Sequence, residues 1–255
     1  MHSVSFSLLR HAAWAPGLAS AEAWAGWAAA PFLIRSGEEP GLRAMPPMLR
    51  RRAGFLGKMA LEVAYACLDG EANIPTVFCS RHGEVARAVD LLSDLARETP
   101  LSPTSFGLSV HNASAGLFSI ARADRANHLA LAAGNSSVEH AVIEACSLLH
   151  DGATKVQLVV YDTPLPEVFS RFEDCAEQPH AFAWLLGPVP ATPQPEADII
   201  TLSWQAESAE ATAQNATSQP AGLEILRFQL SGARRFERVG NRRRWIWARH
   251  GKRHG

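Results

Sequence analysis

The chain has little of what a metal site, a disulfide framework or a membrane anchor needs. Its 255 residues hold four cysteines, Cys67, Cys79, Cys146 and Cys175, all far apart. No CxxC pair and no Cys/His cluster has zinc spacing, so no metal or other cofactor is expected. Scattered single thiols point to free cysteines in a reducing compartment. No apolar run approaches the length that spans a bilayer. A signal peptide is also excluded, because Arg10-His11 and Pro16-Gly17 interrupt any apolar segment and Glu22 follows. A cytoplasmic protein without a membrane span is the expectation. There is no internal repeat.

What is present fits a globular chain. Apolar residues make up 47% and charged residues 19%, enough for a sizeable core in one large domain or two small ones. The net charge of −1 hides an asymmetry. Residues 231–255 carry nine basic side chains and one acid, Glu237, whereas residues 1–230 carry 15 basic and 24 acidic ones. The basic end invites a nucleic-acid reading, with Trp245 and Trp247 on one face of a terminal strand. The acidic body and the lack of any recognisable binding module argue against it, so no nucleic-acid partner is expected.

Periodicity then divides the chain. Val4–Leu9 alternates as a strand, and Ala19–Ala30 is helical by propensity. Proline and glycine make 35–47 a loop. Met48–Leu68 reads as one helix with Leu56, Met59, Ala60, Val63 and Cys67 on a single face. Asp69-Gly70 stops it. Thr76–Ser80 is a short strand. Glu84–Arg97 is an amphipathic helix with Val85, Ala88, Val89, Leu92 and Leu95 in one stripe. Pro100–Pro103 is a turn, and Ser114–Arg122 a short helix. His128–Ala132 reads as a buried strand, and Ser136–His150 as a helix. Val156–Tyr161 is continuously apolar, the pattern of a strand covered on both faces. Ala181–Leu186 and Ile199–Trp204 are further strands. Residues 206–222 are rich in Ala, Ser, Thr and Gln and read as a flexible linker. Leu223–Leu230 is a helix or a strand. Strands alternating with helices imply a layered α/β domain.

Four landmarks stand in order along this scaffold. Pro46-Pro47 precedes Leu49-Arg50-Arg51-Arg52 and a long helix. Cys79-Ser80-Arg81-His82-Gly83 forms a turn after a strand. Pro103 leads through Phe106-Gly107-Leu108-Ser109-Val110-His111-Asn112 to Ala115-Gly116. Leu129-Ala-Leu-Ala-Ala-Gly-Asn-Ser-Ser-Val138 runs into a helix that ends at Asp151-Gly152. Together, over roughly residues 1–190, they resemble the N-terminal half of a β-ketoacyl synthase. The length, the Ser-Val-His-Asn segment and the tryptophan-containing C-terminus resemble the short chain-length-factor proteins of aryl polyene and xanthomonadin-type pigment pathways.

The resemblance implies an α/β fold, a thiolase-like half-domain with a mixed β-sheet covered by helices and a short basic C-terminal tail. It implies a first unit over 1–205, a linker over 206–222 and a tail segment over 223–255. In the family, a strand delivers an Ala-Cys-Ser nucleophile to the start of a buried helix. The matching position here is Gly134, so the acyl-enzyme route is closed. The two histidines of a second half-domain are also missing from a chain of this length. The resemblance therefore implies a non-catalytic subunit that pairs, through Leu129–Ala132, with a complete ketosynthase and shapes its acyl tunnel. The candidate tunnel or interface residues are Val85, Val89, Leu92, His111, Asn112, Leu129, Leu131, Ala133 and Gly134. Arg50, Arg51 and Arg52 are read as opening a helix, where cations oppose the dipole, and as candidates for docking an acidic acyl carrier protein.

Other chemistry is weighed beside this. Ala145-Cys146-Ser147 copies the nucleophile string, but it sits near a helix C-terminus, where the dipole raises a thiol's pKa. Ser136 or Ser137 is expected to cap the helix, with Glu139 in support. Val138 breaks a G-x-S-x-G elbow. His111 reads either as a tunnel-lining group or as a buried histidine bonded to backbone, with Asn112 in a left-handed turn. His82, His128, His140 and His150 have no ligand spacing. A standalone thioester hydrolase or acyltransferase, using a serine or Cys79 at its strand-to-helix junction, is the alternative function.

Overall fold

The apolar runs of the sequence become eight strands of one sheet: β1 (His2–Trp14), β2 (Thr76–Cys79), β3 (His128–Leu131), β4 (Val156–Asp162), β5 (His180–Gly187), β6 (Ile199–Ala206), β7 (Arg235–Gly240) and β8 (Arg243–His250). The computed structural model describes residues 2–192, 194–208 and 219–251. The strand order is β3-β2-β4-β5-β1-β6-β8-β7. β2 runs parallel to β3 and β4, and every other neighbouring pair is antiparallel. β4, continuously apolar in sequence, is covered on both faces: Leu158 and Val160 enter one core, Val159 and Tyr161 the other. Its polar residue Gln157 is fully buried and satisfied, donating to Ala64 O and accepting from Thr76 Oγ1.

Among the described residues, eight α-helices flank the sheet: α1 (Ala21–Ala29), α2 (Pro47–Arg50), α3 (Phe55–Leu68), α4 (Val85–Ala96), α5 (Pro103–Gly107), α6 (Ala113–Arg122), α7 (Ser137–His150) and α8 (Ala221–Leu230). On one face, α1, α7 and α8 bury Trp24, Trp27, Val138, Ala141, Val142, Leu223 and Leu226 against Phe6, Trp184, Trp245 and Trp247. On the other, α3 and α6 bury Met59, Ala60, Val63, Cys67, Leu117 and Phe118 against Phe78, Val159 and Leu185. The thiolase-like layering expected from the resemblance is therefore present.

Several local expectations are corrected. The single helix over Met48–Leu68 is two. Gly54 is extended (ψ 179°) and starts α3 afresh, so Arg50, Arg51 and Arg52 end the short α2 and its exit, and do not open a helix. His128–Leu131 is not buried; it is the outermost strand, exposed along most of its length. His111 and Asn112 lie in a turn before α6 and not in a strand. Asn112 has φ −91°, outside the left-handed region. The sequence patterns give no sign of α5 or β7. Within the basic segment, the tryptophan strand packs on the sheet: β8 pairs with β6 from Ile199↔His250 to Ala206↔Arg243. The expected linker falls largely on 209–218, which lie outside the described residues.

Candidate partner edge and degenerate elbow

β3 leads through Ala132-Ala133 into a 3-10 turn, Gly134–Ser136, and on into α7. Gly134 sits at φ +56°, in the left-handed region that disfavours a Cβ. Space is not what keeps it glycine, since an added Cβ would lie 3.5 Å from Asn241 Nδ2, an ordinary contact. The turn is fastened from within and from outside. Ser137 Oγ accepts from Ala133 N at 2.9 Å and donates to Gly134 O at 2.7 Å. Asn241, in the β7–β8 turn, donates to Ala133 O at 2.7 Å. Trp245 Nε1 donates to Ser136 Oγ at 3.0 Å. Arg238 bonds Asn135 O at 3.0 Å and Asn135 Oδ1 at 2.7 Å. The hairpin at one end of the sheet thus returns over α7 and closes on the elbow that follows the strand at the other end.

These bonds overturn the expected cap. Neither Ser136 nor Ser137 caps α7 with its side chain, because Ser136 is held by Trp245 and Ser137 by the loop before it. Glu139 serves Arg238 instead.

The other candidate nucleophiles are buried. Cys79 is buried, and burial, with Asp162 and Glu139 nearby, pushes its thiol well above the usual range. Burial likewise pushes Cys146 up to about 12. Ser136 is fully buried, and His140 Nδ1 donates to its backbone oxygen at 2.8 Å, not to its hydroxyl. No serine–base pair is assembled there.

His111 belongs to a different corner. Its Nε2 donates to Ser80 O at 2.9 Å, and its ring lies so close to Gly83 that a Cβ there would fall 2.7 Å from His111 Cδ2. Ser80 Oγ donates to Asp162 Oδ1 at 2.9 Å and accepts from Gly83 N at 2.8 Å. His111 therefore pins the turn between β2 and α4. Asp162, at the end of β4, is raised by burial, an effect that His180 opposes; His180 is lowered by burial, an effect that Asp162 opposes.

The apolar stripe of α4 is real but largely uncovered. Leu91 is buried, Val85 and Val89 are half-buried, and Leu92 and Leu95 are exposed. Leu101, Phe106 and Val110, in and around the neighbouring α5, are exposed too, Phe106 at 65%. Ile120 of α6 and Leu129 of β3 continue the uncovered series toward the open strand edge. Sequence reasoning missed Phe106, Val110 and Ile120. Periodicity shows which residues share a face, not whether another element covers it. Arg50 is drawn inward, donating to Gly41 O and Leu42 O, whereas Arg51 and Arg52 stay exposed. Among the described residues, no cluster of His, Cys, Asp or Glu could hold a metal ion, and no helix is long and apolar enough to cross a membrane.

Sheet, layers and elbow define a thiolase-type α/β unit. Residues 24–248 match the family described as Beta-ketoacyl synthase, N-terminal domain, and the chain belongs to that family. A chain from the ketosynthase (ApeO) in complex with its chain length factor (ApeC) of Xenorhabdus doucetiae is 27% identical, with TM-score 0.82 over 96% of this chain and 99% of that one. The ishigamide ketosynthase/chain length factor shares the fold at 16% identity, TM-score 0.58, over 83% of this chain and 70% of that one. So does a chain of AntDE:AntF, a type II acyl-carrier protein in complex with its ketosynthase, at 10% identity, TM-score 0.70, over 98% and 100%. No curated protein sequence matches.

Proposed function

We propose that this chain is the non-catalytic, chain-length-factor subunit of a ketosynthase pair in fatty-acid or polyketide-type biosynthesis, of the aryl polyene kind. The observation that carries this reading is the open edge of β3, which leads directly into a thiol-free elbow. An unpaired strand presents a row of backbone donors and acceptors that a second sheet edge can complete. The residues after it lack the atom needed for an acyl-enzyme. The uncovered side chains of α4, α5 and α6 supply apolar area beside that edge, of the kind a stable partner buries.

On this reading, Leu129 and Leu131 sit at the strand pairing, with Ala133 and Gly134 just beyond. Val85, Val89, Leu92 and Phe106 wall the far end of the partner's acyl tunnel. His111 holds the turn from which α4 starts, and Asn112 stands at the start of α6. Arg51 and Arg52 remain available to an acidic carrier protein, with Arg50 bracing their loop. A growing chain one unit too long would clash with the wall at a cost of about 1–3 kcal/mol, enough to set product length. The test is acyl extension by the cognate ketosynthase with and without this chain. The pair should give products of defined length, and this chain alone should give none. The same products from the ketosynthase without it would overturn the proposal.

A further inference from the structure

A cleft of about 510 Å³ opens beside the β7–β8 turn, lined by His2, Trp204, Glu207, Asn241, Arg242 and Arg243 among others. Its cations differ from their neighbours. On the same hairpin, Arg235 meets Glu237, Arg238 meets Glu139 and Glu224, Arg244 meets Glu207, and Arg249 meets Asp198. Arg242 and Arg243 are exposed and form no ion pair among the described residues. The acid in the cleft wall, Glu207, is held by Arg244 at 2.7 Å; Arg243 lies over the Trp245 ring at 5.9 Å, and neither Arg242 nor Arg243 meets a carboxylate among the described residues. In the same lining, His2 stacks on Trp204 at 5.8 Å, and Trp204 packs in turn against Trp245.

The turn backbone adds an independent mark. Asn241 and Arg242 have φ +50° and +58°. Two-residue hairpin turns of this kind favour Asn-Gly. Asn241 fits, but arginine stands where glycine is the unstrained residue. The turn is also rigidly held, with Asn241 bonded to Ala133 O and Arg242 O accepting from Glu207 N at 2.9 Å. A strained backbone that keeps a costly side chain in a fixed place is characteristic of residues used for binding.

We propose that this cleft binds a phosphate ester, with Arg242 and Arg243 on the phosphate and a flat part of the ligand against the His2–Trp204 stack. Paired guanidiniums match phosphate geometry, and the aromatic stack suits a planar group. The same phosphate chemistry can come from a free coenzyme-type nucleotide or from the prosthetic arm of a carrier protein.

The test uses the full chain, followed by calorimetry and tryptophan fluorescence. The probes are coenzyme A, ADP, and a carrier protein with and without its phosphopantetheine arm. Arg242→Gly removes the cation while relieving the turn. It should raise the unfolding midpoint and weaken phosphate-ester binding at least tenfold. Arg243→Gln should weaken binding without raising the midpoint, and Arg235→Gln should leave binding unchanged. Binding of coenzyme A that depends on Arg242 assigns a free ligand. Binding of only the armed carrier assigns the prosthetic group. Wild-type affinity in the Arg242→Gly chain, equal binding of armed and unarmed carrier, or no binding of any probe at millimolar concentration would overturn the site.

Discussion

Arg238 of β7 and Glu139 of α7 meet at 2.8 Å with side chains only 1% and 0% exposed, 99 residues apart in the chain. Neither charge can turn to water, so each depends on the other. Arg238 also reaches Glu224 of α8 and both oxygens of Asn135, and so joins the hairpin, two helices and the elbow through one guanidinium. Removing one member of such a pair strands the other. Arg238→Met should cost about 3–5 kcal/mol of stability. Replacing both, with Glu139→Leu added, should recover much of that loss. Urea unfolding of the three variants measures it, and additive losses in the double variant would contradict the coupling.

The elbow predicts a failed rescue. Gly134→Cys puts a thiol in the elbow, but it places a Cβ at φ +56°, which costs about 1–2 kcal/mol. Asn241 and Arg238 already occupy the polar groups around the turn. The variant should be less stable and still carry out no condensation on its own. Covalent acylation of the introduced thiol by a thioester substrate, seen by mass spectrometry, would show the elbow to be more competent than its bonds suggest.

Thiol labelling separates the partner reading from a standalone enzyme. Cys67, Cys79 and Cys146 are buried, with thiols pushed up by burial, Cys67 and Cys146 to about 12. Cys175 is half-exposed, although burial still raises it to about 11. In native protein at pH 8, iodoacetamide should modify Cys175 slowly and the others hardly at all. Fast, selective modification of Cys79 would revive it as a nucleophile.

A pH effect follows from Asp162 and His180, which lie opposite each other where β4 pairs with β5. Burial holds the His180 imidazole below its usual value, so the folded chain resists protonation. The unfolded chain takes up that proton near about 6.5. Stability therefore falls as the pH drops through that value, by up to about 1.4 kcal/mol per pH unit. Asp162, raised by burial, acts in the opposite sense: between its raised folded value and about 3.9, acidification adds stability. Between pH 7.5 and 5.5, wild type should lose more stability in urea than His180→Gln. Equal losses would remove His180 from the account.

Much of the fold is legible in the sequence because it follows from local periodicity. β4 reads as apolar and lies inside the sheet, covered on both faces; α7 and α4 carry their stripes where the spacing puts them. The family resemblance places the elbow at Gly134, and the chain folds as a strand, a turn and a helix there. The hidden part is long-range. Nothing local distinguishes a covered strand from an outermost one, so the apolar letters of β3 suggest burial where there is none. The break before α3 turns on one extended glycine inside an otherwise helical pattern. The Arg238, Asn241 and Trp245 contacts to residues 133–139 span more than 98 positions, and no single-sequence pattern encodes them. Charge pairing is hidden too: Arg235, Arg238, Arg244 and Arg249 of β7 and β8 each meet an acid where the hairpin packs, and no local pattern names those partners.

The uncovered helices give a product-length prediction. Phe106 is the bulkiest exposed side chain beside the α4 stripe. In the ketosynthase pair, Phe106→Ala should lengthen the product by at least one extension unit, and Leu92→Trp should shorten it, with the pair still formed. Liquid chromatography with mass detection reads the distribution. An unchanged distribution in both variants would remove this face from the tunnel wall.

The most direct measurement is the solution mass of this chain co-expressed with the ketosynthase encoded nearest to it, as wild type and as Leu129→Asp. The account predicts a stoichiometric complex for wild type and its loss in the variant, because a carboxylate on the open edge of β3 opposes strand pairing. A wild-type chain that stays monomeric beside the ketosynthase, or a variant that binds as well as wild type, would contradict it.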